Sequence, residues 1–365
     1  MLDLFKRKIK NNAKIYYFAK MLKNIKNPEF INKVIEIGES ANNIKVLHTG
    51  EENRGDVVYF AELGYSTTGF FAIFRMALDV CAYADYFGFK PIIAFNKETS
   101  YCEDYPINGT TNPFEYYFEQ PCYENGSFYD VVEHSCAVVK YELVHSLQLF
   151  NLYGINQQRN YNISPEQYSL YAKIYKKYIK FNKITTERLN NHFKTLGIEN
   201  DDIIGVHYRG TDYKNNYGSH PVSIQVEDYY PVIDNILKKK PNAIIFLATD
   251  DNEALSDFCK RYGSKIVYYR DTERSDGNVA IICKETHREN NKYELGYEVI
   301  RDAYTLSQCK FLIAGLSQVS TAARIMKKSR GIDFEKDMLM DKGINHNSRS
   351  HVDDMNKIRD GAKAK

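Results

Sequence analysis

The chain has no tryptophan, no CxxC pair among its seven cysteines, and almost no charge imbalance, with 49 basic against 47 acidic residues. Each shortage excludes something. Cys81, Cys102, Cys122, Cys136, Cys259, Cys283 and Cys309 are odd in number and widely spaced, which fits reduced thiols rather than a disulfide framework or a zinc ribbon. A formal charge of +2 lacks the broad basic footprint of a general nucleic-acid binder, so any anion site must be local. The sequence also lacks GxxxxGK[ST], a GxGxxG following a strand, HExxH and GxSxG, which removes P-loop, dinucleotide, zincin and nucleophile-elbow chemistry. No long uncharged apolar run opens the chain, because lysines interrupt it. The expectation is therefore a cytoplasmic protein, in which the N-x-S/T patterns at Asn108, Asn125 and Asn162 are chance matches.

With 365 residues there is room for two domains. The expected division is a basic N-terminal helical segment (1–50), an N-terminal α/β domain (51–200), a C-terminal Rossmann-like domain (201–330) and a polar tail (331–365). In the first segment Leu2, Phe5, Ile9 and Tyr16 share a helical face among lysines. That pattern suits either peripheral contact with an anionic membrane or an ordinary solvated helix. From Asp56 a strand runs into Gly64-Tyr65-Ser66-Thr67-Thr68-Gly69 and then into an apolar segment from Phe70 to Phe87. Arg75, Asp79 and Asp85 mark that segment as a packed helix. The glycine loop could cradle an anion or serve turn geometry alone. Asn112 to Pro121, dense in aromatics, reads as a loop or short helix on a cleft wall. Tyr168, Tyr171, Tyr175 and Tyr178 recur at helical spacing as a packed face.

Beyond Asp202 strands and helices alternate regularly, which predicts a parallel sheet wound by helices. Each strand hands over to polar residues at its carboxyl end, where such sheets bind ligands. The first, Ile203–Tyr208, leads to His207, Arg209 and Asp212; the second leads to Thr249, Asp250 and Asp251; the last leads to Gly315, Ser317, Gln318 and Ser320. A fixed cation, carboxylates and a serine loop at a helix N-terminus describe an anion site. Each member has a structural alternative: one of Asp250 and Asp251 could cap the following helix, Ser317 or Ser320 the last helix, and His207 could be a satisfied interior histidine. Asp302 lies between apolar residues of a helix and is expected to point inward.

Three ordered motifs, GVHYRGTD at 205–212, FLATDDNEAL at 246–255 and DAYTLSQCKFLIAGLSQVS at 302–320, resemble the fucosyltransferase superfamily of α1,6-fucosyltransferases, nodulation fucosyltransferases and protein O-fucosyltransferases. The resemblance implies an α/β, GT-B-like fold with two Rossmann-like domains facing a cleft. It implies inverting transfer of a sugar, most simply L-fucose from GDP-fucose, to a saccharide acceptor in surface-polysaccharide or glycan assembly, with no cofactor and no obligatory metal. By position, Arg209 would hold the β-phosphate, His207 and Asp302 would meet guanine, and Asp212 would sit near the sugar. Asp250 and Asp251 would belong to the donor site. Ser317 or Gln318 would meet the diphosphate, and Gly64 and Tyr65 would lie across the cleft. Two positions depart from the pattern: Gly210 replaces a second arginine, and Tyr217 replaces an acid. The general base is thus open among Asp212, His220, Glu227 and Asp228. Another nucleotide-sugar donor, or GDP-sugar binding without catalysis, are the rival readings.

Overall fold

A computed structural model describes residues 44–123, 126–156, 162–198, 202–283, 288–355 and 357. The basic helix expected over the N-terminus falls almost wholly outside the described residues. The chain forms two compact units. The first comprises the residues up to Gly64, Ala72–Lys97 and Asn112–Lys180, and the second Tyr65–Phe71, Glu98–Thr111 and Phe181 onward. This redraws the expected boundary. Two stretches of the N-terminal half, and the helix Lys183–Thr195, group with the C-terminal unit through contacts distant in sequence. Among these, Lys292 pairs with Asp104 at 3.0 Å and Glu103 accepts from the backbone of Tyr293 at 3.0 Å.

The first unit is built on a four-stranded sheet of order β1-β4-β2-β3, from β1 (Val46–Leu47), β2 (Val58–Leu63), β3 (Lys90–Phe95) and β4 (Val138–Lys140). β2 pairs in parallel with β3 and β4, and β1 runs antiparallel to β4. α1 (Phe70–Phe87) links β2 to β3; α2 (Phe128–His134), α3 (Leu143–Leu152) and α4 (Pro165–Tyr178) follow. The tyrosine stripe is a packed face: on α4, Tyr171 donates to the buried Asp79 of α1 at 2.7 Å and Tyr178 to Asp85 at 3.1 Å. Asn112 to Pro121 is core rather than a cleft wall, with Phe114, Tyr116, Tyr117 and Phe118 all buried. Its amides cap the free edge of β3. Asn112 and Gln120 each donate to the Ile93 carbonyl, and accept from the N–H of Phe95 and Ile93, satisfying groups that an open edge would leave bare.

After α5 (Lys183–Thr195) the second unit contains β5 (Ile203–Tyr208), α6 (Val226–Lys239), β6 (Ile244–Thr249), α7 (Asn252–Tyr262), β7 (Ile266–Val267), α8 (Asn291–Gln308), β8 (Phe311–Gly315), α9 (Gln318–Ser329) and β9 (Lys336–Met340). The five strands form one parallel sheet of order β7-β6-β5-β8-β9. The expected α/β class and the strand–helix alternation after 202 are both present. β5 is central and buried along its whole length, as a strand covered on both faces requires. Its even residues Ile204, Val206 and Tyr208 pack with Tyr229, Ile233 and Phe258 of α6 and α7, while Ile203 packs with Leu306, Leu312 and Ala323 on the other face. Gly205 lets α8 lie close, since a Cβ there would meet Cys309 and Leu306 at 3.0–3.1 Å. His207, next on that face, is thereby carried toward α8 at the strand's carboxyl end.

The polar tail expected over 331–365 is a correction. β9 adds a fifth strand beside β8, and its Asp337 takes a bidentate pair from Arg324 of α9, both bonds at 2.7 Å. Charge pairing and backbone bonds, not an apolar period, hold this segment. All seven cysteines are free. Among the described residues no helix is long and apolar enough to cross a membrane.

Candidate active site

The sheet order reverses between β5 and β8, one neighbour leading outward to β6 and the other to β9. At such a switch point the loops leaving the carboxyl ends part and open a crevice. The pocket there has about 490 Å³ of empty space, mouth included, and is lined by His207, Arg209, Thr249, Asp250, Leu295, Glu298, Val299, Asp302 and Val319 among others.

Arg209 is fixed by two carboxylates, pairing through Nη1 with Asp250 and through Nη2 with Asp212 at 2.7 Å. Burial opposes its charge, but Asp212 and Asp250 outweigh that and hold the guanidinium firmly protonated. Asp212 is itself buried, which disfavours its charge, yet Arg209 brings its carboxyl down to about 2. Thr211 bridges the carboxylates, donating to Asp250 at 2.7 Å and sitting 3.0 Å from Asp212. Its φ of +44° is uncommon for a β-branched residue and marks backbone strain at this turn.

Of the two adjacent aspartates, Asp251 is the helix cap and Asp250 the pocket residue. Asp251 accepts from the N–H of Glu253 at 2.9 Å and of Ala254 at 3.2 Å and pairs with Lys214 at 2.7 Å. Its donor-site assignment is therefore corrected: it is fully buried and committed to starting α7, a role worth about 1 kcal/mol. Ser317 likewise caps α9, accepting from Val319 N–H at 3.2 Å. Gln318, beside it, has a buried Oε1 without a partner among the described residues.

His207 is not the satisfied interior histidine that its position allowed. It is buried, and its Nδ1 has no hydrogen-bond partner among the described residues. Burial, reinforced by Arg209 and Arg324, pushes its pKa down to about 3, so the ring is neutral. Asp302 does line the pocket; burial pushes its carboxyl up to about 7 against the pull of Arg301 and Arg274.

Other expected residues lie elsewhere. Glu227 is exposed in the first turn of α6 and Asp228 closes the capping box there, paired with Lys342; neither joins the Arg209 cluster. His220 does approach it, its pKa lowered by burial and by the neighbouring His351. Gly64 follows β2 with a φ of +92°, and Tyr65 is exposed. The first amide of α1, Phe70 N–H, is taken by the Tyr101 hydroxyl at 2.9 Å. Sequence reasoning missed Glu298, held by Arg288, and His351, 3.5 Å from Asp212. No local motif marks either residue: Arg288 lies ten residues before Glu298, outside any helical spacing, and Asp212 is far from His351 in sequence. Among the described residues no group of three or more His, Cys, Asp or Glu is arranged to hold a metal.

Residues 168–337 match the family of alpha-(1,6)-fucosyltransferase N- and catalytic domains. No curated protein sequence gives a significant match. Solved structures with distant likeness include the NodZ fucosyltransferase from Bradyrhizobium, at 15% identity over 75% of this chain and 92% of that one with a TM-score of 0.44. POFUT1 in complex with GDP is another, at 11% identity over 79% and 99% of the two chains with a TM-score of 0.45. The matched segment, 170 of the 365 residues, carries Arg209, Asp212, Asp250 and Asp302.

Proposed function

We propose that the protein transfers L-fucose from GDP-fucose to a saccharide acceptor by single displacement with inversion, in surface-polysaccharide or glycan assembly. The observation that carries this reading is the switch-point pocket in which a neutral His207, a fixed Arg209 and the carboxyl of Asp302 converge. Asp302 accepts from the N–H groups of the guanine edge, and the unpartnered Nδ1 of His207 supplies a further polar contact. Arg209 meets the β-phosphate. Two of its five N–H groups are occupied by Asp212 and Asp250, which leaves others for phosphate oxygens. The amides and Gln318 side chain at the start of α9 face the same anion. No step requires a metal, because the guanidinium and helix amides answer the charge that develops on departing GDP.

The donor is tested by incubation with GDP-fucose or GDP-mannose and measurement of GDP release. GDP-fucose is expected to turn over, and release from GDP-mannose alone would refute the fucose assignment. The guanine contact makes a separate prediction. Asp302 titrates near 7 and accepts from guanine only as the carboxylate, so its ionised form, present above that pH, is the binding form. GDP affinity should therefore fall as pH drops below 7, approaching about tenfold per unit. Asp302→Asn should bind more weakly at pH 8 and lose this slope, as titration calorimetry across pH would read.

A further inference from the structure

We propose that His351, delivered by the C-terminal segment, is the proton acceptor of the transfer; this rests on the function proposed above. The segment is stitched to the loop that follows Arg209. Gly218 and Ser219 donate to the carbonyls of Arg349 and Asn345 at 2.9 and 2.8 Å, Asn345 donates back to His220 at 2.8 Å, and Val222 donates to Gly343 at 2.9 Å. Gly218 has no room for a side chain, since a Cβ there would lie 2.1 Å from the Asn347 carbonyl oxygen. Arg349 lies 5.0 Å over the Tyr217 ring, pairs with Asp354 and donates to the Asn215 carbonyl at 3.0 Å. Met355 anchors the far end, buried beside Cys283.

This construction places His351 Nε2 3.5 Å from Asp212 Oδ2, while Asp212 Oδ1 is 2.7 Å from Arg209. The His351 ring lies against His220, centroids 4.7 Å apart and planes tilted by 35°, and makes a T-shaped contact with Tyr217 at 5.0 Å. A carboxylate holding one imidazole nitrogen orients the ring and stabilises the imidazolium formed when the other nitrogen takes a proton. His351 is partly exposed, at 14% of its side chain, so Nδ1 can reach an incoming hydroxyl. Its rivals are committed. Asp212 is bound to Arg209 and held near 2, too weak a base for the task. For His220, burial and the neighbouring His351 both disfavour the charge. Among the described residues, the charged and titratable groups around the pair include Asp212 and Arg209 from the β5 loop, Tyr213 and Tyr217 from the turn after it, and Arg349 and Asp354 from the C-terminal segment.

In the transfer step the acceptor hydroxyl gives its proton to His351 Nδ1 as its oxygen bonds to the anomeric carbon. The bond from that carbon to the β-phosphate oxygen breaks, its electron pair leaves with GDP, and the imidazolium then returns its proton to water. This also answers the loss of the acid at Tyr217: the aromatic ring there supports the base that replaces it.

The test uses the 365-residue chain with GDP-fucose, water serving as acceptor, alongside calorimetric GDP binding. His351→Gln is expected to keep wild-type GDP affinity while its GDP release at saturating donor drops by about 100- to 10,000-fold, with the acid limb of the rate profile lost. The wild-type profile, which needs no variant to fold, should fall on the acid side, since a base must be unprotonated to accept the proton. A flat wild-type profile, or wild-type turnover in His351→Gln, overturns the proposal and leaves the donor reading standing. Failure of the wild-type protein to bind GDP overturns both.

Discussion

Arg209→Ala is expected to lower the rate of GDP release from GDP-fucose by about 100- to 1000-fold, the usual cost of removing one donor to a developing oxyanion. The loss falls mainly on the chemical step. Charge grows on the β-phosphate as the glycosidic bond breaks, so a cation fixed beforehand stabilises the transition state more than the bound donor. Here the fixing is explicit: Asp250 and Asp212 grip Nη1 and Nη2, and Thr211 ties the carboxylates together. Arg209→Lys should recover little of the rate, because a single ammonium cannot span two carboxylates and still present N–H groups to a phosphate. Steady-state kinetics separates the cases, since a purely structural arginine would change stability without a selective fall in kcat.

Gly210→Arg, which introduces the arginine of the fucosyltransferase pattern that the sequence resembles, is expected to destabilise the protein rather than improve it. A Cβ at this position would lie 2.2 Å from Asp251 Oδ2 and 2.6 Å from its Cβ. Asp251 cannot yield without leaving the α7 amides and Lys214 that it serves. Breaking a buried charge pair typically costs about 3–5 kcal/mol, enough to remove much of a domain's stability. Thermal unfolding would register this as a large drop in Tm, and Gly210→Ala should show a good part of it, since the clash begins at Cβ. Gly210 therefore reflects a different local packing, in which Asp251 occupies the space that a second side chain would need.

The second unit was largely legible in the sequence because its signals are local. Short, largely apolar runs mark β5, β6 and β8, and the polar residues after each run mark the strand end that faces the site. Local pattern could not say which of Asp250 and Asp251 caps α7, since either satisfies the capping rule; the direction of Arg209 decided it. Pattern also missed what is held by distant partners. Glu98–Thr111 belongs with the second unit through Asp104 and Glu103 at the start of α8. The C-terminal residues look like a solvated tail because their order comes from backbone bonds to 215–222 and from the Arg324–Asp337 pair. The aromatic stretch from Asn112 was misplaced for the opposite reason: its rings suggested a ligand wall, whereas Asn112 and Gln120 fix it against the edge of β3.

The proposed transfer requires Arg209 to hold the diphosphate of a guanine nucleotide at the β5–β8 switch point. The direct measurement is a calorimetric titration of GDP into the wild-type protein and into Arg209→Ala, with folding of both checked by thermal unfolding. Binding to the wild type, weakened about tenfold or more in the variant by loss of a charge-assisted contact, is the predicted result. Equal GDP affinity in the two proteins, or no binding to the wild type, would contradict it.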